Sequence, residues 1–331
     1  MNVTLKDVAK RAGVSRSAVS RTFTEGASVS AKMREKVEKA ASELGYSPNL
    51  LARSLTTRRT KLIGLISNNF NNPLFLQVFD LFTCGLQECG LRPLLVNLSS
   101  ETDPQHSLRM LKQYSVDGVI VATSELPTAF SKVFCEAGMP IVHAFGRLAR
   151  SSKVHTVSID DIECGRMAAR LLIDRGYKSI GFLGGPQSVS VAKDRHNGFQ
   201  QEAGKHPGID VSYSFAEAHS FAAGRNEMLR LLKEAPAAAY FCGDDVLSIG
   251  AMSAIETHGL KVPEDIGILG LNDMEISGWE IINLTTIQQP IDDIVNSTIQ
   301  LIEKVMEDPS VKPESRLFPC KVIERGTLKS P

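Results

Sequence analysis

Four side chains near the N-terminus have the types and the spacing needed to contact the edges of nucleic-acid bases. Arg16, Ser17, Ser20 and Arg21 fall within six residues, and on a helix they would project outward from its N-terminal half. Arginine is well suited to bidentate hydrogen bonding with guanine in the major groove of DNA. The alternative is a solvated helix face that happens to carry two arginines. The surrounding elements distinguish these two interpretations.

The sequence carries none of the common catalytic motifs. It contains no GxSxG elbow, no GxxxxGK[ST] phosphate loop and no HExxH zinc motif, and the Gly-Gly-Pro turn at 184–186 is not GxGxxG. Paired aspartates at 160–161, 244–245 and 292–293 are adjacent, and adjacent strand residues point to opposite faces. The seven histidines lack metal-ligand spacing and the six cysteines include no CxxC pair. We therefore expect no enzyme, no cofactor, no metal site and reduced thiols.

Three short helices are predicted in the first 45 residues. Thr4 and Asp7 form a capping-box pattern at the start of the first helix. Ser15 is the predicted cap of a second helix that ends at Thr22, and a third helix is predicted over 30–44. Small residues and a glycine turn between the first two helices would let them cross tightly. That crossing is typical of a helix-turn-helix.

The charge of the chain is distributed unevenly. Residues 1–61 contain 13 lysines and arginines against 5 aspartates and glutamates, a net charge of +8. The remainder contains 24 against 32, a net charge of −8. A basic module ahead of an acidic body indicates that the first binds a polyanion and the second binds something else. This asymmetry favours base contact for Arg16 and Arg21 over a merely solvated face.

Composition sets the broad class of the protein. The chain has 331 residues, 43% hydrophobic and 22% charged, which suits an ordinary globular chain of two or three domains. No apolar run approaches the ~18 residues of a membrane span. The N-terminus also lacks the apolar stretch of a signal peptide. We therefore expect a cytoplasmic protein with no membrane partner.

Short apolar runs alternate with helical stretches after residue 61, as is typical of buried parallel strands. Seven runs occur, at 62–66, 94–96, 118–121, 140–142, 180–183, 238–241 and 266–269. Helices are predicted between them, for example over 75–89 and 162–175. This alternation predicts right-handed βαβ units with parallel sheets. Seven strands over this length suit two lobes better than one.

Long ungapped motifs in the first 55 residues match a known family. They are TLKDVAKRAGVS at 4–15, AVSR at 18–21, LGYSPN at 44–49 and ARSL at 52–55. On these residues the chain closely resembles the LacI/GalR family of bacterial repressors, and the resemblance extends along the whole chain. It implies an all-α helix-turn-helix domain followed by a two-lobed, periplasmic-binding-protein-like α/β body with parallel sheets.

The resemblance implies a set of DNA contacts. Arg16, Ser17 and Arg21 would contact bases in the major groove. The segment 48–56 resembles a hinge helix, too short to be stable alone in water, which would order when two copies pair on DNA. Leu55 would be a wedge in the minor groove, its alternative being an ordinary core position. The full set is Thr4, Ser15, Arg16, Ser17, Ser20, Arg21, Ala52, Arg53, Leu55 and Arg58.

Two positions of the DNA-binding module depart from the family pattern. Ala18 stands where many members carry threonine, so one hydroxyl contact with DNA is missing. Phe23 stands where a smaller aliphatic residue is common, and we expect it to pack under the second helix. Because of these two departures, the base sequence of the operator cannot be predicted from the family pattern.

The same resemblance divides the chain into domains. The helix-turn-helix domain would span 1–47, the hinge helix and linker 48–61, and the effector-binding and dimerisation domain 62–331. Within the last, the first lobe would hold 62–158 and 289–318, and the second lobe 159–288 and 319–331. Ligands of open α/β sheets bind beyond the carboxyl ends of the strands. Residues that follow strands are therefore the candidate ligand contacts.

The candidate effector contacts are Asn69, Phe75, Ser124, Arg195, His219, Asp244 and Asn272. Arg195 matches a family arginine that binds ligand hydroxyls or carboxylates, its alternative being a surface ion pair. His219 stands where members often carry a stacking aromatic and could make affinity pH-dependent, or be a plain loop residue. Short polar side chains after strands can also cap helices or shape turns; capping is favoured for Asp245 and Asp273, and ligand contact is favoured over capping for Asp244 and Asn272.

The candidate contacts indicate what the cleft binds. Aspartate, asparagine and arginine together suit a polyhydroxylated ligand, so a sugar or sugar derivative is expected. A nucleoside, a nucleobase or a small acid remains open, and the extra carboxylate of Asp244 would tolerate an amino group.

We expect a homodimeric repressor on a near-palindromic double-stranded operator, with operator affinity controlled by the small-molecule effector. The last residues contain no leucine heptad, so no tail-built tetramer is expected. Two alternatives stay open. One is an activator. The other is a solute-binding protein, against which the basic module and the missing signal peptide argue.

Overall fold

A computed structural model describes residues 3–24, 26–47, 59–68, 70–98, 103–126, 128–147 and 154–330. The chain forms two compact units, Met1–Thr60 and Lys61–Pro331. Within the described ranges, no helix is both long and apolar enough to cross a membrane.

The described part of the N-terminal unit contains three helices, α1 (Leu5–Ala12), α2 (Arg16–Thr22) and α3 (Ala31–Leu44). The prediction of three helices is therefore confirmed. Their shared core consists of Val8, Ala9, Ala12, Val19, Val37, Ala40 and Ala41. Because four of these seven residues are alanines, the helices can pack with their backbones close together, as a helix-turn-helix requires.

Local capping bonds determine where these helices begin and end. Asp7 Oδ2 accepts hydrogen bonds from the backbone and the hydroxyl of Thr4, at 2.9 and 2.6 Å. Ser15 and Ser30 accept bonds from backbone N–H groups in the first turns of α2 and α3, at 3.2 and 3.3 Å. Gly13 ends α1 in the left-handed conformation, with φ 59°. These bonds fix the start of α2, and hence the direction in which its first residues point.

The first sheet of the body consists of β1 (Leu62–Ser67), β2 (Arg92–Asn97), β3 (Gly118–Ala122), β4 (Ile141–Ala144), β5 (His155–Ile159) and β11 (Ser315–Phe318). All neighbours are parallel, in the order β11-β5-β4-β3-β1-β2. Its helices are α4 (Leu74–Glu88), α5 (Pro104–Gln113), α6 (Thr128–Glu136) and α11 (Ile291–Glu307). We call this sheet with its helices the first lobe.

The second sheet consists of β6 (Ser179–Gly184), β7 (Asp210–Phe215), β8 (Ala239–Cys242), β9 (Gly267–Asn272), β10 (Thr286–Gln288) and β12 (Lys321–Ile323). Its order is β12-β10-β9-β8-β6-β7, and β12 is its antiparallel strand. Its helices are α7 (Asp161–Asp174), α8 (Ser190–Ala203), α9 (Phe221–Leu231), α10 (Asp245–Thr257) and a 3₁₀ turn at Glu275–Gly278. This sheet with its helices is the second lobe.

Five of the strands in the described residues carry no continuous apolar run, and the sequence analysis missed them. β5 reads His-Thr-Val-Ser-Ile, so polar residues interrupt it although all five are buried. β7 is an edge strand and mixes polar with aromatic residues. β10, β11 and β12 have only three or four residues each, too few to show a period.

Three crossover segments join the lobes. The first follows β5 at residue 160, the second follows β10 at 289–290, and the third lies between β11 and β12 at 319–320. Each segment leaves a strand at its carboxyl end. The strand ends of both lobes can therefore contribute side chains to one cleft beside the crossovers.

Two glycines let α7 and α8 pack backbone against backbone. A Cβ atom on Gly165 would lie 2.0 Å from the carbonyl oxygen of Arg195. A Cβ atom on Gly198 would lie 1.9 Å from the carbonyl oxygen of Ile162. No side chain larger than hydrogen fits at either crossing point. This contact holds the start of α7 next to Arg195.

The Gly165→Ala variant is therefore expected to lose about 1–3 kcal/mol of unfolding free energy, because the methyl group overpacks the crossing. Gly204→Ala is the matched control, since its φ of −64° suits any residue and the nearest atom to the new Cβ is 3.2 Å away. Urea unfolding of both variants measures the difference. Equal stability of the two would show that α7 and α8 can move apart freely.

Candidate functional site

The outer face of α2 presents the two arginines singled out by the sequence. Arg16, Ser17, Ser20 and Arg21 are all exposed. Neither arginine forms a side-chain hydrogen bond or ion pair within the part of the chain that the structure describes. Ser17 Oγ lies 2.9 Å from Ser15 Oγ. The helix thus presents two guanidinium groups that the described part of the chain leaves available to a partner.

The inner face of α2 is held firmly. Val19 and Thr22 are buried, and Arg34 of α3 donates a hydrogen bond to the Thr22 carbonyl at 3.0 Å. Phe23 is partly buried against the three-helix core, with its ring 5.9 Å from that of Tyr46. The expectation that Phe23 packs under this helix is therefore confirmed. A helix fixed in this way can present its outer side chains in one geometry.

A narrow cleft lies between the two lobes of the body, with an internal volume of about 20 Å³. Its walls come from strand ends of both lobes and from α4 and α8. The lining residues are Asn72, Leu74, Phe75, Ser124, Phe145, Ser158, Ile159, Arg195, His219, Asp244, Asn272 and Gln289. The cleft has the mixed polar and aromatic lining of a small-molecule site, but in this closed form its volume is much smaller than that of a ligand pocket.

Arg195 is the charged centre of the second-lobe wall. Its Nε donates to Asp161 Oδ1 at 2.7 Å, and its Nη1 donates to the Gly243 carbonyl at 2.9 Å. Both members of this ion pair are buried. Burial by itself would lower the pKa of Arg195, but the Asp161 carboxylate more than offsets this and raises it. The guanidinium therefore stays charged, with its remaining donors left for a ligand.

Asp244 is the centre of a polar chain across the cleft. Its Oδ1 accepts the first hydrogen bond of α10, from Val246 N at 2.7 Å. Its Oδ2 accepts bonds from Asn72 of the first lobe, at 2.9 Å, and from Asn272, at 3.0 Å. Asn272 in turn accepts a bond from Gln289 at 2.6 Å. One carboxylate thus holds side chains from both lobes together.

Two further bridges join the lobes near this chain. His219 Nδ1 lies 2.9 Å from Glu125 Oε1, and His219 also fills the space beside Gly185, where a Cβ atom would lie 2.1 Å from its ring. Arg147 makes a bidentate pair with Asp194, at 2.7 and 2.8 Å. Together with the bond from Asn72 to Asp244, these contacts hold the cleft closed.

Two family models match the chain. The model of the "Bacterial regulatory proteins, lacI family" covers residues 4–49, and that of the "Periplasmic binding protein-like domain" covers residues 169–328. The chain is 32% identical to the transcriptional repressor PurR of Serratia proteamaculans over 98% of this chain and 96% of that protein. It is 30% identical to the repressor CytR of Escherichia coli over 99% of this chain and 96% of CytR. The chain belongs to the LacI family.

Solved structures of transcriptional regulators share its fold. The Lac repressor dimer bound to operator and the anti-inducer ONPF has a TM-score of 0.88 at 26% identity, covering 99% of both chains. The regulator CelR in complex with cellobiose has a TM-score of 0.72 at 26% identity, covering 98% of this chain and all of CelR. The protein is therefore a sequence-specific transcriptional repressor and not an enzyme, as expected. The predicted fold class is also confirmed.

The structure of this LacI-family repressor places the predicted contacts as follows. Six candidate effector residues line the cleft: Phe75, Ser124, Arg195, His219, Asp244 and Asn272. Thr4, Ser15, Arg16, Ser17, Ser20 and Arg21 are exposed on the N-terminal unit, and the hydroxyls of Thr4 and Ser15 also cap helices. Five candidates lie outside the described residues: Ala52, Arg53, Leu55, Arg58 and Asn69.

The prediction that Asp245 and Asp273 cap helices is wrong. Asp244 is the cap of α10, one residue earlier than expected. Asp245 is buried and accepts bonds from Thr286 Oγ1, Ser277 Oγ and a backbone N–H group, at 2.6 to 2.8 Å. Burial raises its pKa to about 6. Asp273 has φ 58° and accepts bonds from two side chains, so it shapes a turn after β9.

Six residues that line the cleft of the repressor were not singled out from the sequence, namely Asn72, Leu74, Phe145, Ser158, Ile159 and Gln289, and neither was Glu125, the partner of His219. Asn72 was interpreted only as part of an Asn-Pro helix start, and Glu125 and Gln289 were not considered. Each has its partner far away in the sequence, as the pairs Asn72–Asp244 and Glu125–His219 show. The available signal was position, because all three follow strands at their carboxyl ends.

His143 supports the wall of the cleft from inside the first lobe. It is fully buried, with Nε2 3.0 Å from the Thr123 carbonyl and Nδ1 3.0 Å from Ser131 Oγ. Burial lowers its pKa to about 4. The ring is therefore neutral near pH 7, with Nε2–H donating to Thr123. It fixes the backbone just before Ser124, one of the cleft residues.

This burial makes the stability of the repressor depend on pH. His143 binds a proton in the unfolded chain below about pH 6.5 but in the folded chain only near 4, so its contribution is complete above 6.5 and falls towards 4. Between pH 7 and pH 5 the loss is about 2 kcal/mol. In His143→Gln the amide can make the same two bonds without titrating. Urea unfolding of both proteins at the two pH values should show a smaller loss for the variant, and equal losses would contradict the assignment.

Proposed function

We propose that this repressor binds a near-palindromic operator as a homodimer, with α2 of each subunit in the major groove. Arg16, Ser17 and Arg21 contact base edges, and the segment 48–61 pairs with its copy in the minor groove, where Leu55 is the wedge. The observation that carries this proposal is the exposed pair Arg16 and Arg21, which has no partner among the described residues. The net charge of +8 in residues 1–61 supports it.

Selection of random double-stranded DNA by the full-length protein tests this part of the proposal. We expect enrichment of an inverted repeat, because a two-fold symmetric dimer reads two identical half-sites. Enrichment of a single half-site with no repeat would contradict binding as a dimer.

The cleft of the body binds the effector, which we propose to be a sugar or sugar derivative. Asp244, Asn272 and Arg195 supply acceptors and donors for neighbouring hydroxyl groups. Phe75 and Phe145, with ring centroids 6.2 Å apart, offer an apolar wall for the face of the ring. The structural neighbour CelR was solved with cellobiose, which also supports a saccharide.

A nucleoside is the second candidate, and a specific feature favours it. The two phenylalanines and His219 give the cleft three aromatic rings, enough to hold a flat base, while Asp244 and Arg195 would bind the ribose hydroxyls. A nucleoside carries a base and a simple sugar does not, so a ligand screen that contains both classes distinguishes the two candidates.

Control of DNA binding follows from the two-lobed body. We propose that the lobes span 62–158 with 289–318 and 159–288 with 319–331, boundaries that lie next to the three crossovers. An effector that bridges the lobes changes their relative angle, and this change biases the pairing of the hinge segments of the dimer. The coupling is reciprocal, because effector and operator must change each other's affinity by the same factor.

Thermal unfolding with a panel of sugars, polyols, sugar acids, sugar phosphates and nucleosides tests the effector proposal. A ligand at 100 times its Kd adds about 2.7 kcal/mol of stability, which a melting curve detects. We expect a saccharide to raise the Tm of the wild type and to have a much smaller effect on Asp244→Asn, which loses one acceptor. A rise with nucleosides alone would replace the sugar by the second candidate. A saccharide that stabilises both proteins equally would place its site outside the cleft.

A further inference from the structure

A second cavity of the body lies beside the crossovers. Its internal volume is about 420 Å³, against about 20 Å³ for the closed cleft. Small-molecule sites have volumes of ~300–1,000 Å³, so this cavity has room for a ligand without any movement of the lobes. Its walls come from the end of β9, the second and third crossovers, the first turn of α11 and Gln77 of α4. Both lobes and two of the segments that join them therefore contribute to it.

Two neighbouring glutamines leave hydrogen-bond acceptors unfilled in the wall of this cavity. The side-chain amide of Gln288 donates to Asp273 Oδ2 at 2.6 Å, and that of Gln289 donates to Asn272 Oδ1 at 2.6 Å. Within the described residues, neither glutamine side-chain oxygen accepts a hydrogen bond. Gln289 is only 7% exposed, and polar groups buried to this extent normally have a partner. A ligand that donates hydrogen bonds would supply the missing partners.

Carboxylates outnumber cations on the same walls. Asp292 and Asp293, in the first turn of α11, are exposed and form no ion pair within the part of the chain that the structure describes. Their charges suit the start of a helix, but both carboxylates are left available to a cation. A third carboxylate, Asp273, is neutralised by Arg325, which donates to it at 2.7 Å. Two available carboxylates are thus set against one ammonium group, that of Lys321, so the cavity attracts positive charge.

We propose that this cavity binds a small organic cation with two or more amino groups, of the diamine or polyamine class. One ammonium group binds Asp292 and Asp293, and another donates to the side-chain oxygens of Gln288 and Gln289. A primary ammonium group has three N–H donors and no acceptor, which matches walls that offer acceptors. The aliphatic chain between the amino groups packs against the prolines of the two crossovers.

Hydrogen bonds connect this site to the effector cleft. Gln289 and Asn272 line both spaces. Asn272 donates to Asp244 Oδ2 at 3.0 Å, and the same oxygen accepts a bond from Asn72 of the first lobe. A ligand that fixes Gln289 therefore acts on the polar chain that holds the lobes together. Amine binding at the crossovers is a second input to the repressor, separate from the effector.

Isothermal titration calorimetry of the full-length protein with spermidine tests the proposal. We expect one site per subunit, and no binding would overturn it. Asp292→Asn/Asp293→Asn should bind spermidine at least about tenfold more weakly, because two charged acceptors are lost. Lys321→Gln should bind it more tightly, since a repelling charge is removed. The matched control Glu256→Gln/Glu264→Gln removes two exposed carboxylates elsewhere in the second lobe and should bind as the wild type does. An equal loss in this control would show that only the general charge of the body attracts the amine.

Protection of a cysteine locates the bound amine. Cys320 lines the cavity, whereas Cys84 is exposed on α4 and does not line it. Spermidine should slow the labelling of Cys320 by N-ethylmaleimide several-fold, measured by peptide mass analysis, and leave the labelling of Cys84 unchanged. Spermidine that binds without protecting Cys320 would lie elsewhere, and the proposed site would be wrong.

A methylated analogue tests the role of the donors. The compound 1,4-diaminobutane carries two ammonium groups, and its fully N-methylated analogue carries the same two charges with no N–H group. We expect the diamine to bind and the analogue to bind much more weakly, because the glutamine oxygens accept hydrogen bonds only from N–H donors. Equal affinities would overturn recognition of the amino groups.

Discussion

The variant Arg16→Ala/Arg21→Ala should bind its operator about 2–6 kcal/mol more weakly than the wild type, because each bidentate contact with a base is worth about 1–3 kcal/mol. Binding to random DNA should change far less. Both side chains are exposed on α2, Arg16 in its first turn and Arg21 in its last, and neither has a partner within the described residues. The Arg16→Ala variant alone should also relax discrimination at one base pair.

A charge-matched control separates base contact from general attraction. Lys32→Ala/Lys39→Ala removes two positive charges from exposed positions of α3 in the same unit. Titration of operator and random duplexes at two salt concentrations should show a small, sequence-independent loss for this control. If the arginine variant loses the same affinity on both duplexes, its side chains contact phosphates and α2 is not the reading helix.

The Arg195→Ala variant should lose the effector response completely and also about 3–5 kcal/mol of stability. The stability loss follows from the structure, because Asp161 would remain buried as an unpaired carboxylate. Operator binding by the folded variant should be unchanged. Urea unfolding measures the loss of stability. Operator titration with the compound found by thermal screening measures the loss of the effector response.

A second variant distinguishes the two losses. Arg195→Met/Asp161→Asn removes both charges together, so most of the stability should return while the effector response stays absent. If the response returns with the stability, Arg195 only supports the fold. If Arg195→Ala unfolds no more easily than the wild type, the buried ion pair is worth far less than its geometry indicates.

Local signals in the sequence predicted the N-terminal unit well. The caps Thr4, Ser15 and Ser30 and the stop at Gly13 act within a few residues, so a short window of sequence contains everything that sets α1, α2 and α3. The strands with apolar runs were predicted for the same reason. β5 was missed because a buried strand does not need an unbroken apolar run. Its buried polar side chains can form hydrogen bonds with backbone groups, as His155 and Thr156 do.

The cleft was only partly predictable because its bonds join distant segments. Position after a strand pointed to Asp244 and Asn272, and the family resemblance pointed to Arg195; all three line the cleft. It did not show that Asp244 would bind Asn72, which lies 172 positions away. The sequence analysis expected Asp245 to cap α10, whereas Asp244 does so, and this error has a similar origin. The donors whose hydrogen bonds Asp245 accepts come from β10 and from the turn after β9, so sequence spacing alone could not reveal them.

The bridges that close the cleft have a kinetic consequence. Asn72–Asp244, Glu125–His219 and Arg147–Asp194 span the mouth, so an effector enters only while they are broken. Opening then precedes binding as a separate step. At low effector concentration the observed association rate rises in proportion to concentration. At high concentration it levels off at the opening rate, which is a property of the protein and the same for every ligand that fits.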